Sequence, residues 1–142
     1  MLYTDNTKKA MRFAYEAHDG QVDKAGLPYI HHPLHIAEQM QDEATTIVAL
    51  LHDVVEDTDY TLKDIAGMGF GDDVVAALAL MTHERSVPYL TYIEKLRHNP
   101  ISRAVKLADL RHNSDLSRLN NVGRKDLERV EKYKKAMKLL EN

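Results

Sequence analysis

The sequence predicts an all-α fold: a compact helical bundle of about seven or eight short helices. Three observations predict it. Apolar residues recur at helical spacing through most of the 142 residues. No stretch alternates apolar and polar residues for long enough to build a sheet, and Gly, Pro and Asn break the chain at short intervals.

Thr4 to His18 reads as the first helix, with Ala10, Phe13, Ala14 and Ala17 inward and Asp19-Gly20 stopping it. Gly20 to Ile30 holds Gly26 and Pro28 without a sustained period and reads as a loop. Pro33 is placed as the first residue of a second helix reaching about Met40. A third runs from about Glu43 to Val55 through Ile47, Val48, Leu50 and Leu51. Thr61 to Asp64 resembles a capping box opening a short helix that ends near Gly67. Asp72 to Thr82 is strongly apolar and largely buried. Pro88 opens a helix from Tyr89 to Arg97 that Asn99-Pro100 closes. Ser102 to Asn113 is the next, with a short helical piece up to Leu119. After Asn120 to Gly123, Lys125 to Leu140 carries an apolar stripe opposite a Lys- and Glu-rich face that reads as solvated.

A chain of this length can bury a core without crosslinks, and no internal repeat or linker divides it. With 44% hydrophobic and 29% charged residues it is globular, and a net charge of −3 leaves no footprint for general nucleic-acid binding. A small-molecule partner is expected, with no nucleic acid and no membrane. No apolar run approaches the roughly 18 residues of a membrane span and the N-terminus lacks a signal pattern, so the expected location is cytoplasmic. The absence of cysteine removes disulfides, thiolate ligands and a cysteine nucleophile. Any transition-metal site must therefore come from the eight histidines and the carboxylates.

The stretch Leu51-His52-Asp53-Val54-Val55-Glu56-Asp57 offers such groups. In a helix His52 and Glu56 lie one turn apart, as do Asp53 and Asp57, and the four can address one region. Elsewhere His32 opens a helix, and Asp109 interrupts an apolar helix between Ala108 and Leu110, where a carboxylate is costly unless paired or bound to a cation. Asn113 follows Asp109 by one turn. Two imidazoles and two carboxylates suit Mn²⁺, Fe²⁺ or Zn²⁺ better than Ca²⁺ or Mg²⁺.

Read together, His32, His52-Asp53 and Asp109 resemble the metal signature of the HD-domain phosphohydrolases. Ala17-His18 with Gly20-Gln21, Gly26 to Pro33, Leu50 to Asp57, and Val105 to Asp109 with His112-Asn113 resemble the hydrolase domain of the RelA/SpoT alarmone enzymes. The likeness is closer still to the stand-alone small alarmone hydrolases of the Mesh1 type. The chain reads as a single HD-type domain over residues 1–142; the resemblance spans roughly residues 10 to 120 and implies a Mn²⁺-dependent 3′-pyrophosphohydrolase of guanosine bis(diphosphate) alarmones. It implies His32, His52, Asp53 and Asp109 as ligands, Glu56 and Asp57 as the pair that positions and activates water, and Asn113 and Lys24 as substrate contacts. The residue before Lys24 is Asp23, where these enzymes carry an Arg that stacks on guanine, so an acidic group is expected to repel phosphate there. A second, synthetase domain is not expected in a chain of this length. Other readings are the same chemistry on another nucleotide or phosphate ester, or a non-catalytic nucleotide-binding regulator. His18 is expected to cap or pack, His31 to sit in a solvated loop and His35 at the surface. His83, His98 and His112 are expected at helix ends without partners. Tyr89 and Tyr92 are expected to pack, and the C-terminal helix lies outside the resemblance as packing.

Overall fold

The computed structural model describes residues 1–142 as nine α-helices and one 3-10 turn. The order is α1 (Asp5–Ala17), α2 (His31–Glu38), α3 (Glu43–Leu51), α4 (Val54–Asp57), α5 (Leu62–Ala66), α6 (Asp72–Met81), α7 (Tyr89–Leu96), α8 (Pro100–Asn113), the 3-10 turn Leu116–Arg118, and α9 (Arg124–Glu141). The all-α expectation holds. A single antiparallel bridge between Val22 and Pro28 pins the loop before α2.

Local chemistry sets most of the boundaries. Thr4 and Thr7 exchange side-chain and backbone bonds at the start of α1, and Thr61 and Asp64 do the same for α5. Asn99 accepts from the backbone N–H of Ile101 and Ser102, so Pro100 opens α8 as well as following α7. α2 begins before Pro33: the N–H of His32 reaches the Tyr29 carbonyl, and Pro33, still in the first turn, owes no intrahelical N–H.

The predicted third helix breaks in two. In a continuous helix the Ala49 carbonyl would accept from the Asp53 N–H; instead the Nδ1 of His52 lies 2.6 Å from it. The chain turns at His52-Asp53 and resumes as α4. This break accounts for nine helices where about eight were expected.

Helix α3 is the centre of the packing, with every residue from Thr45 to Leu51 buried. Around it α1, α2, α5, α6 and the first half of α8 close a core that includes Phe13, Ile36, Ile65, Leu78 and Val105. Each such side chain contributes about 1.5–3 kcal/mol when fully buried. A smaller cluster of Ile93, Leu96, Leu110, Ala136 and Leu140 binds α7 and α9 to the second half of α8. The Ser102 hydroxyl donates to the Ala77 carbonyl at 2.9 Å and fastens α8 to α6. Helix α8 thus spans both clusters, and Asp109 lies where they meet. No helix is long and apolar enough to cross a membrane.

Candidate metal centre and active site

The end of α3, the start of α2 and the middle of α8 bring His32, His52, Asp53 and Asp109 together, with one donor atom from each lying within 4.8 Å of the others. The Nε2 of His32 is 2.8 Å from Asp109 Oδ1, and the Nε2 of His52 is 3.3 Å from the same oxygen and 3.1 Å from Asp53 Oδ2. His32, His52 and Asp109 are at most 4% exposed. These four residues are scattered over 78 positions, and the break after Leu51 lets the adjacent His52 and Asp53 share the site.

The donor chemistry fits a divalent cation. The Nδ1–H of His52 donates to the Ala49 carbonyl, which leaves Nε2 facing the carboxylates as the atom open to a cation or a proton. His32 turns its Nδ1 to the Nδ1 of His112 at 2.6 Å, so its Nε2 also points inward. Buried Asp109 and half-buried Asp53 face the same pair of imidazoles, and two carboxylates held this close require positive charge between them. Burial opposes ionisation of Asp53, yet the charge and hydrogen bond of protonated His52, together with His32, outweigh it and hold the carboxyl at about 2. Burial likewise opposes ionisation of Asp109, and Lys106, 3.0 Å from its Oδ2, holds the carboxyl well below the usual range. Burial would keep His52 neutral, but Asp53 and Asp109 raise its pKa well above the ordinary value, another expression of the same demand for a cation.

Glu56 and Asp57 follow this set by one turn and have different neighbours. Asp57 stays one turn from Asp53, as the spacing predicted, and the Tyr29 hydroxyl lies 2.7 Å from Asp53 Oδ2 and 3.1 Å from Asp57 Oδ2. The Gln21 side chain donates to the Asp57 carbonyl at 2.8 Å and accepts from His18 Nδ1. Glu56 turns instead toward α6 and α7, where its Oε1 accepts the His83 N–H at 2.7 Å. Partial desolvation raises both carboxyls above the ordinary range. The His83 hydrogen bond opposes the shift at Glu56, and at Asp57 the negative charge of Asp53 adds to it.

Two cavities meet at the metal set. The larger, about 310 Å³, is walled by the 21–29 loop, the 3-10 turn and α9, with Lys24, Asn113, Arg118 and Arg129 on its surface and His32 at its inner end. The smaller, about 180 Å³, carries Asp109 and Glu56 together with Lys106 and Lys132. Asn113 donates to Asp109 Oδ1 at 3.1 Å and lines both cavities.

Several sequence expectations need correction. Asp23 does not present a bare charge: its Oδ1 accepts from the Ala25 and Leu27 N–H groups, and its Oδ2 faces Arg118 at 3.7 Å. The Arg118 side chain also donates to the His112 carbonyl, so a guanidinium enters the cavity from the 3-10 turn. His112 is not a partnerless helix end, because it stacks between His32 and His35. Burial, with Arg118 and the surrounding imidazoles, pushes its pKa down to about 3, so the ring is neutral. His83 is likewise engaged, by Glu56 and by the Val87 carbonyl. The C-terminal helix is more than packing, since Arg129, Lys132 and Tyr133 line the cavities. Tyr29 was missed; its place one turn before the His32-Pro33 pair was the available signal.

The HD domain family profile matches residues 10–135. This chain belongs to the HD domain family. Within it, the chain is 37% identical over 139 residues to guanosine-3′,5′-bis(diphosphate) 3′-pyrophosphohydrolase MESH1 of Mus musculus, covering 88% of this chain and 76% of that protein. It is 34% identical over 148 residues to the guanosine-3′,5′-bis(diphosphate) 3′-pyrophosphohydrolase of Aquifex aeolicus, covering 96% of this chain but only 20% of the much longer relative. Among solved structures it superposes on a metazoan ortholog of SpoT described as hydrolysing ppGpp, with a TM-score of 0.76, 26% identity, and coverage of 99% of this chain and 85% of that one. The expected HD relationship is therefore met in both sequence and fold.

Proposed function

We propose that the protein is a metal-dependent 3′-pyrophosphohydrolase of guanosine 3′,5′-bis(diphosphate). The observation that carries the reading is the convergence of His32, His52, Asp53 and Asp109 between two cavities with cationic side chains, in an HD chain whose MESH1 relatives bear that activity. Those four residues would hold the cation, Mn²⁺ first and Fe²⁺ or Zn²⁺ as alternatives. A bound cation would supply Lewis acidity and neutralise phosphate charge.

The chain's own groups do the rest. The water oxygen bonds to the phosphorus carried on the ribose 3′-oxygen, the bond from that phosphorus to O3′ breaks, and O3′ leaves with one proton. The second proton passes to a carboxylate and then to solvent, and guanosine 5′-diphosphate and pyrophosphate separate. Asp57 and Glu56 flank the place where that water must stand, and their raised pKa values bring them nearer to proton acceptors useful at neutral pH. Tyr29 ties Asp57 to Asp53 and so fixes the acceptor relative to the ligand set. Lys24, Arg118, Arg129 and Asn113 offer the larger cavity to the nucleoside and its 5′-phosphates.

The test is a nucleotide panel with Mn²⁺ and with chelator. Turnover of 3′-pyrophosphorylated guanosine nucleotides, abolished by chelator, supports the assignment. Cleavage of ordinary nucleotides or phosphate esters alone replaces it with the broader HD phosphohydrolase reading. Binding without turnover points to a regulator.

A further inference from the structure

We propose that the smaller cavity is the subsite for the terminal phosphate of the 3′-pyrophosphoryl group, with Lys132 of α9 as its specificity-determining cation. The proposal rests on the hydrolase reading above and assigns a place to the diphosphate that this reading leaves open.

The two cavities differ in chemistry. The larger mixes apolar walls of Val22, Leu116, Leu119 and Val130 with its charged groups, a surface on which a base and ribose gain by burial. The smaller exposes chiefly polar atoms, with Tyr89, Tyr92, Tyr133 and Leu110 in its wall beside the charged groups. It suits a compact, multiply charged anion. The cavities share Asn113 and Tyr133, and the ligand set stands between them, His32 facing the larger and Asp109 the smaller. A substrate whose scissile phosphorus meets the ligand set, with its nucleoside in the larger cavity, must send its remaining phosphate toward the smaller one.

The smaller cavity is furnished for that anion. Lys106 is held by Asp109 at 3.0 Å. Lys132 has no carboxylate partner; its Nζ lies 4.5 Å from the centre of the Tyr89 ring and 5.6 Å from that of Tyr133. An ammonium positioned over two rings, with no anion of its own, is available to phosphate. The hydroxyls of Tyr89 and Tyr133 make no hydrogen bond within the protein. Burial raises both pKa values, that of Tyr89 to about 12, so the hydroxyls remain protonated donors. Glu56 lies on the same wall, beside the place of reaction, and its bond to the His83 N–H fixes the carboxylate there.

The experiment is calorimetric titration of inorganic pyrophosphate, with orthophosphate and guanosine 5′-diphosphate as comparisons, into Mn²⁺-loaded wild type, Lys132→Ala and Lys132→Arg. Lys132 is solvent-exposed on its helix, so its replacement does not threaten the fold. The expected result is pyrophosphate affinity at least about tenfold weaker in Lys132→Ala, the loss of one charge-assisted hydrogen bond. Orthophosphate and guanosine 5′-diphosphate should change less than about twofold, and Lys132→Arg should recover most of the pyrophosphate affinity. Unchanged pyrophosphate affinity in Lys132→Ala, or an equal loss for all three ligands, overturns the subsite. Because no turnover is needed, failure here is separable from failure of the nucleotide panel, which tests the hydrolase reading itself.

Discussion

Asp109 joins two roles that can be separated by mutation. Its Oδ1 faces His32, His52 and Asn113, while its Oδ2 is the counter-ion of Lys106, whose side chain is only 14% exposed. Asp109→Ala removes a candidate ligand and also leaves a buried ammonium unpaired. Breaking a buried pair from one side costs about 3–5 kcal/mol, so the metal-free variant should lose that much unfolding free energy. The double variant Lys106→Met/Asp109→Ala should recover most of the loss, because no unpaired charge remains. Neither should regain the cation's contribution, which for wild type is about 2.7 kcal/mol at a hundredfold excess over Kd. Urea unfolding of wild type, single and double variants, each with chelator and with Mn²⁺, reads both quantities. The reasoning fails if the Mn²⁺ increment survives in Asp109→Ala, or if the double variant is no more stable than the single.

Tyr29→Phe should lower kcat about tenfold or more with little change in metal content, because it removes a hydrogen bond to a charged group that sets Asp57 against Asp53; unchanged kcat denies the positioning role. Glu56→Gln and Asp57→Asn should each retain the cation and lose about 10²–10⁴-fold in kcat if both handle the reacting water, and a variant with full activity removes that residue from the role. Both carboxyls are raised in the folded protein and must be ionised to accept a proton, so activity should fall on acidification with a midpoint above their ordinary values of 4.5 and 3.8. The Tyr29 hydrogen bond lowers the Asp57 value, so Tyr29→Phe should move the acid limb of the kcat profile to higher pH, and a shift to lower pH contradicts the assignment. Asp23→Arg should raise KM rather than improve the enzyme, since it forfeits the bonds to Ala25 and Leu27 and sets two guanidiniums together; a lower KM favours a stacking deficit instead.

The helices were legible because their signals are local. Thr61 with Asp64, Asn99 with Pro100 and the apolar run of α3 each announce an element within a few residues. The kink after Leu51 was not legible, because it depends on which way the His52 ring turns. Its consequence is that Glu56 and Asp57, read as one pair, face different neighbours. The residues His32, His52, Asp53 and Asp109 were recognisable as a motif, whereas their convergence is a property of packing alone. The role of α9 was hidden for a related reason. Arg129, Lys132 and Tyr133 lie on a helix whose composition reads as a solvated face, and only the docking of α9 on α7 and α8 turns them into cavity wall. Asp23 shows the limit of residue-by-residue comparison, since its meaning depends on Arg118, far along the chain and adjacent only in the fold.

The central claim is that this site cleaves the 3′-pyrophosphate bond of guanosine 3′,5′-bis(diphosphate). Phosphorus NMR of that nucleotide with Mn²⁺-loaded protein tests it most directly, because it identifies the bond broken. The account predicts pyrophosphate and guanosine 5′-diphosphate appearing in equal amounts, with no orthophosphate. Release of orthophosphate, or an unchanged spectrum from protein that demonstrably holds the cation, would contradict it.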